Sequence, residues 1–361
     1  MVSAPAWLSR WTDWLEEFAP AFSAHAAQRG GLRRYVEGVL SDSRRKSMEA
    51  MWARLRDPGS YQALQYFITE ADWRADRVWR LLRAAIPARS GVLVLDGTGF
   101  PKQGSASVGV AREYSGTLGK IGNCQVAVTG ALWTGIQAWC VGALLYLPQS
   151  WLTPALTPAS RPTGQRGRPA SRPTLAPDVA PGTLRELAKT VPVRAWRTVS
   201  WRNGTHAPWR AGFWTCRVTP AHDWRRRVVA PEIWLLCQRD LGATPETKYY
   251  FVHLPATASL KAVVRLAHQR WAIEQQYAEL KDELGLDHFE GRSCHGWHRH
   301  VVLTASAYAF LQRERLRPRR HTLTFPQARA VITDILTAHY FLTHRRQLKM
   351  LLELAEMPLR I

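Results

Sequence analysis

A chain of 361 residues with 46% apolar content is long enough for about two domains and too apolar for wholesale disorder. Its 49 Lys and Arg against 28 Asp and Glu leave a formal charge of +21, which argues against an ordinary small-molecule enzyme and for a polyanionic partner, most simply nucleic acid. The five cysteines form no CxxC pair, so neither a zinc ribbon nor a disulfide framework is expected, and their odd number fits a reducing compartment. Charges come too early in MVSAPAWLSRWTDWLEEF for a signal peptide, and no run approaches the roughly 20 apolar residues of a membrane span. The expectation is a cytoplasmic protein with no membrane partner. The 17 tryptophans fill cores and stack on bases alike, so their number separates nothing.

Residues 1–90 read as helices. Trp7, Trp11, Leu15 and Phe18 recur at spacings of three and four, as do Leu32, Val36 and Leu40, and then Val78, Leu81 and Leu82. A small all-helical domain is expected, in which Arg33, Arg34, Arg44, Arg45 and Lys46 either contact phosphates or simply form a solvated face. Gly91–Leu95 reads as a buried strand that ends on Asp96 and is stopped by Gly97, Gly99 and Pro101. Apolar stretches at 125–133 and 136–147, joined by Thr134-Gly135, read as an antiparallel hairpin. Residues 148–190 begin with a Pro/Arg-rich stretch that reads as an extended basic linker, lying along DNA or merely disordered. Four β-like runs follow within 191–258. The remainder, 259–361, reads as a long helix over 259–285, a second over 297–314 and a terminal pair from about 325 to 356.

Three features carry chemistry. Asp96 at a strand end is either a rigidly held carboxylate suited to a hard divalent ion or a turn-forming Asp before glycines. On the long helix, Arg270, Glu274 and Lys281 fall on one stripe. At 100° per residue Glu274 and Lys281 differ by about 20°, and Arg270 lies about 40° from Glu274. The stripe offers either an acid flanked by two phosphate-binding cations or intrahelical ion pairs worth about 0.2–0.5 kcal/mol each. In GLDHFEGRSCHGWHRH, His288, Cys294, His295, His298 and His300 lack the second Cys pair of a zinc site, and a DNA-contacting loop suits them better.

The strings LDGTGFPKQGSASVGVAREYSGTLGKIGNCQVAV and RWAIEQQYAELKDELGLDHFEGRSCHGWHRHVVLTASAYAFLQ resemble the DDE transposases of bacterial insertion sequences. The nearest branch is the insertion-sequence 701 group, in the superfamily with a Tyr–Arg–Glu–Lys signature. The resemblance implies an α/β protein with a ribonuclease-H-like core and a β-rich insertion. It implies metal ions (Mg²⁺ or Mn²⁺) held by three carboxylates, and cleavage and joining of DNA at terminal inverted repeats and target. It also allows a homodimer and a nucleoid-associated location. Asp96 matches the first catalytic acid and metal ligand, Glu274 the third, and Arg270 and Lys281 the signature cations. Lys102, Lys120 and Arg292, within the same strings, are further candidates for DNA contact.

The chain departs from the family pattern in three places. Ala267 stands where the signature has Tyr, and Gly97 where a second acid often follows the first. The block carrying the middle catalytic Asp, in a string resembling ADxxYG after LPxSW, is missing: LPQSWL runs directly into the linker. Between Asp96 and Glu274 the acids are Glu113, Asp178, Glu186, Asp223, Glu232, Asp240 and Glu246, of which only Asp240 ends an apolar run. Two functions follow as expectations: a metal-dependent DNA strand transferase with an unidentified third acid, or a catalytically inactive DNA-binding remnant. General RNA binding has no module signature.

Overall fold

The computed structural model describes residues 6–22, 26–116, 118–151, 183–203, 208–220, 231–241, 246–318 and 322–356. Most of the Pro/Arg-rich stretch, with Asp178, lies outside them, as does Asp223. The chain is a mixed helix-and-sheet protein. Its helices are α1 (Ala6–Glu16), α2 (Ala26–Leu40), α3 (Met48–Trp52), α4 (Tyr61–Thr69), α5 (Ala75–Ala85), α6 (Leu184–Thr190), α7 (Leu260–Ala267), α8 (Trp271–Ala278), α9 (Cys294–Arg315), α10 (Phe325–Thr343) and α11 (Arg345–Glu356). Its strands are β1 (Val92–Pro101), β2 (Ala111–Ser115), β3 (Lys120–Trp133), β4 (Ala138–Leu145), β5 (Arg197–Asn203), β6 (Pro208–Val218), β7 (Ile233–Arg239) and β8 (Thr247–Val252). Contacts divide the chain into two compact units, Met1–Leu156 with Ala272–Ile361, and Thr157–Trp271.

In the first unit β3 is the central strand. It pairs antiparallel with β1 on one side and with β2 and β4 along its length on the other. The expected hairpin forms, with the Thr134 N–H donating to the Gln137 carbonyl across the turn (3.1 Å) and Gly135 at φ 93°. The first strand differs from its expectation in two ways. It does not stop at Asp96 but runs on to Pro101, because Gly97 and Gly99 continue the ladder opposite Val128 and Val126. Nor is it buried on both faces. Val92, Val94, Asp96, Thr98 and Phe100 point to the covered face, while Leu93 and Leu95 are exposed on the other.

The helices of residues 1–90 do not close a core of their own. Trp11, Trp14, Tyr35, Phe67 and Leu82 join Phe100, Trp139, Trp297, Tyr308 and Phe310 in one apolar cluster. The reason is α9, a central helix that contacts α2, α4, α5, α10 and β4. Its charged residues enter the interior with partners, as buried charges must. Arg299 donates to the carbonyls of Trp73, Ala71 and Ile68, and Glu314 takes a bidentate pair from Arg10 on α1, both bonds 2.8 Å.

The second unit is a four-stranded antiparallel meander, β5-β6-β7-β8. Helix α7 packs Val263 and Val264 against Phe213, Leu236 and Val252. The expected single helix over 259–285 is therefore broken. Helix α7 ends at His268, whose ring stacks on Trp201 at 4.2 Å. A 3₁₀ turn over His268–Arg270 leads into α8, and a π-helical turn over Glu279–Glu283 follows it.

Candidate active site

Asp96 sits in mid-strand, opposite Thr129 of β3, on the covered face of the sheet. Antiparallel pairing fixes its backbone, and its Oδ1 accepts from the Gly97 N–H (2.9 Å). Helix α8 crosses this face. The Tyr277 hydroxyl donates to the Asp96 carbonyl (2.9 Å) and lies 2.7 Å from the Thr129 hydroxyl, which completes the chain as donor. One turn on, the Lys281 ammonium donates to the Gly99 carbonyl (2.8 Å) and lies 5.3 Å from the Phe100 ring centroid. Two bonds to β1, four residues apart on the helix, set which way α8 faces. Glu274 precedes Tyr277 by one turn, about 4.5 Å along the axis, and is exposed. The side chain of Asp96 and the helix that carries Glu274 thus lie on one face of the sheet.

The cations divide into two kinds. Lys281 and Lys102 are half-buried against backbone carbonyls. Lys102 donates to the Phe289 carbonyl, and burial pushes both ammonium groups below the ordinary lysine pKa, against the pull of Asp287. Lys120 at the start of β3 and Arg292 before α9 are exposed. Arg270 is exposed too, in the 3₁₀ turn of the second unit.

The histidine-rich segment is knitted into the fold. His300 is fully buried. The Tyr35 hydroxyl donates to its Nδ1 (2.8 Å), and its Nε2–H faces the carbonyls of Gly285 and Leu286. His288 Nδ1 accepts from the Lys46 N–H (3.0 Å). Four of the five cations named in residues 33–46 are likewise engaged: Arg33 with Glu37 and Asp57, Arg34 with Asp57, Arg45 with Glu290, and the Lys46 ammonium with the Ser41 carbonyl.

Among the described residues no three His, Cys, Asp or Glu side chains come together as a metal site. Two carboxylates supply hard oxygens enough for one divalent ion, which takes one or two carboxylates and completes its shell with water and phosphate. They do not supply the donors of a two-ion centre. Of the intervening acids, Glu186 is used in the capping box of α6, and Glu232, Asp240 and Glu246 belong to the second unit.

Residues 17–158 match the family of DDE superfamily endonucleases. A probable transposase for insertion sequence element IS701, from Microchaete diplosiphon, is 33% identical over 96 residues. Over these stretches the chain is similar to the insertion-sequence DDE transposases. The matched stretch is 26% of the chain and 25% of the relative's length. The family match takes in helices α2–α5 and strands β1–β4, and so includes Asp96; Glu274 lies beyond it. The residue that sequence reasoning missed is Tyr277. Its spacing of three from Glu274 was the available signal, since residues three apart share a helix face.

Proposed function

We propose that the chain is a transposase-like DNA recombination protein that binds double-stranded DNA at terminal inverted repeats and target. Residues 1–90 form its helical DNA-binding part. Residues 91–147 and 259–361 form a ribonuclease-H-like core, 148–190 a linker and 191–258 a β-rich insertion. The β1-β3-β4 meander with α8 across it supports this reading of the core. The observation that supports the functional reading is the Tyr277 hydroxyl on the Asp96 carbonyl, which ties the helix carrying Glu274 to the strand carrying Asp96.

In this reading Asp96 and Glu274 hold a divalent ion, Mg²⁺ or Mn²⁺, which when bound polarises a DNA phosphate for attack. The strand ladder fixes Asp96, and Tyr277 and Lys281 fix the helix that carries Glu274. Arg270, Lys120 and Arg292 meet phosphate oxygens. Association with the nucleoid in the cytoplasm follows from such binding, and among the described residues no helix is long and apolar enough to cross a membrane. The absence of a third acid from the described cluster favours one rival, a DNA-binding remnant that does not cut.

The test is duplex binding and nicking of element ends in Mg²⁺ or Mn²⁺. Binding that weakens steeply with salt is expected, as is metal-dependent nicking that Asp96→Asn and Glu274→Gln each abolish while binding persists. No duplex binding at low salt overturns the DNA reading. Binding without nicking establishes the remnant, and nicking indifferent to both substitutions removes the site.

A further inference from the structure

Helices α1, α2 and α10 of the first unit, with residues 55–57, surround a cavity of about 480 Å³. Neither Asp96, Glu274 nor Tyr277 lines it. A packing flaw is rarely larger than a water molecule, whereas sites for organic molecules run from roughly 300 to 1,000 Å³. The inner wall is apolar: Leu8, Trp11, Leu32 and Leu55 line the cavity and are buried in the main core cluster. The mouth is polar: Thr12, Glu16, Arg29 and His344 line it and are exposed. Such a cleft, apolar within and carrying a few polar groups, suits an organic molecule better than an inorganic ion.

The charged group that selects the occupant is Glu37, whose side chain is only 18% exposed. Helix α2 places Arg33 one turn before it. Arg33 spends its guanidinium unequally. Its Nη2 lies 2.5 Å from Asp57, while its Nη1 reaches the two Glu37 oxygens at 3.3 Å each. An ionised carboxylate has about four acceptor positions, and among the described residues Arg33 is the one donor to Glu37. Water can make up little of that shortfall at a side chain so far covered. Burial accordingly pushes the Glu37 carboxyl above the usual carboxylate range in spite of Arg33.

The other cations of the cavity are engaged nearer the solvent. Arg29 faces Glu16 at 3.8 Å where both are exposed, and Arg56 donates to the Arg54 carbonyl (3.3 Å). An anion entering the cavity would be set beside the Glu37 carboxylate. A protonated nitrogen there would supply the donors that Glu37 lacks, in a charge-assisted bond. Tyr340, its ring stacked on His344 at 4.2 Å, adds an aromatic wall. We propose that this cavity binds an amphipathic organic cation, an amine or amidine on an apolar or aromatic body. The nitrogen donates to Glu37 and the body lies against Leu8, Leu15, Leu55 and Leu336. The ligand thereby ties α1 and α2, near one end of the chain, to α10 near the other. This goes beyond the transposase reading and does not rest on it.

The test is calorimetric titration of the full chain, without DNA, by three naphthalenes of nearly one shape: 2-naphthylmethylamine, 2-naphthalenemethanol and 2-naphthoate. Saturable binding of one equivalent of the amine is expected, with a melting temperature that rises with its concentration. The neutral alcohol binds at least about tenfold more weakly, since it lacks the charged hydrogen bond, and the naphthoate more weakly still. The preference is telling because a chain of charge +21 favours the anion wherever binding is unspecific. Glu37→Gln, which keeps the shape and removes the charge, weakens the amine at least about tenfold. Leu336→Trp fills the cavity and removes binding; both variants are checked for unchanged circular dichroism. No saturable binding of the amine into the millimolar range overturns the proposal. So does naphthoate bound as tightly as the amine, or an amine affinity that either substitution leaves unchanged.

Discussion

The Tyr277 hydroxyl bonds the Asp96 carbonyl 181 residues away in the chain and also meets Thr129. Tyr277→Phe removes both bonds and leaves the ring in place. A loss of about 1–2 kcal/mol in chemical denaturation is expected, together with slower nicking and unchanged DNA affinity. The spacing of three from Glu274 puts Tyr277 near one helix face, but nothing local shows that its hydroxyl will reach a strand so far off. His300 makes a second prediction at this scale. Burial lowers its pKa from 6.5 to about 4, outweighing the two carbonyls that favour the charged form. The unfolded chain therefore binds the proton more readily, and stability is fully present above about pH 6.5 and falls as pH drops toward 4. The loss is on the order of 3 kcal/mol, and denaturant midpoints across that range should show it, with a flatter profile for His300→Gln.

Apolar stripes at spacings of three and four located α1, α2 and α5, while α3, α4, α6 and β2 were not read from the sequence. Irregularities were another matter. The π-helical turn at 279–283 rests on long-range packing: Leu280 is buried, the Tyr308 hydroxyl donates to Glu279, and Arg329 pairs with Glu283 (2.8 Å). The turn then closes through the Leu286 N–H on the Leu280 carbonyl (2.9 Å). Gly285 ends it at φ +65°, where a Cβ would stand 2.3 Å from Lys46 Cγ and 2.7 Å from His288 Nδ1. Gly285→Ala therefore combines backbone strain with a clash. A destabilisation above about 2 kcal/mol is expected from urea titration. The run past Asp96 was hidden for the opposite reason: glycines that usually stop a strand continue here as extended residues because β3 supplies partners as far as Cys124.

For the molecule as a whole, periodicity and the family resemblance pointed to helices followed by a mixed core, but could not show that they share one interior. Trp11 packs edge-on against Phe310 at 4.8 Å, and Arg10 neutralises Glu314, whose carboxyl is held below its usual pKa by that bond against the cost of burial. Residues 91–361 expressed alone should accordingly lack a cooperative melt and be cleaved rapidly by protease, since α9 would lose the partners of its buried charges. The middle carboxylate is the part of the site that sequence reading could not supply, and no described side chain fills its place. The central claim is that Asp96 and Glu274 grip one ion between them. Titration with Mn²⁺ followed by electron paramagnetic resonance tests it directly. One bound ion per chain, lost with Asp96→Asn and equally with Glu274→Gln, is the result expected; an affinity unchanged in both variants would contradict it.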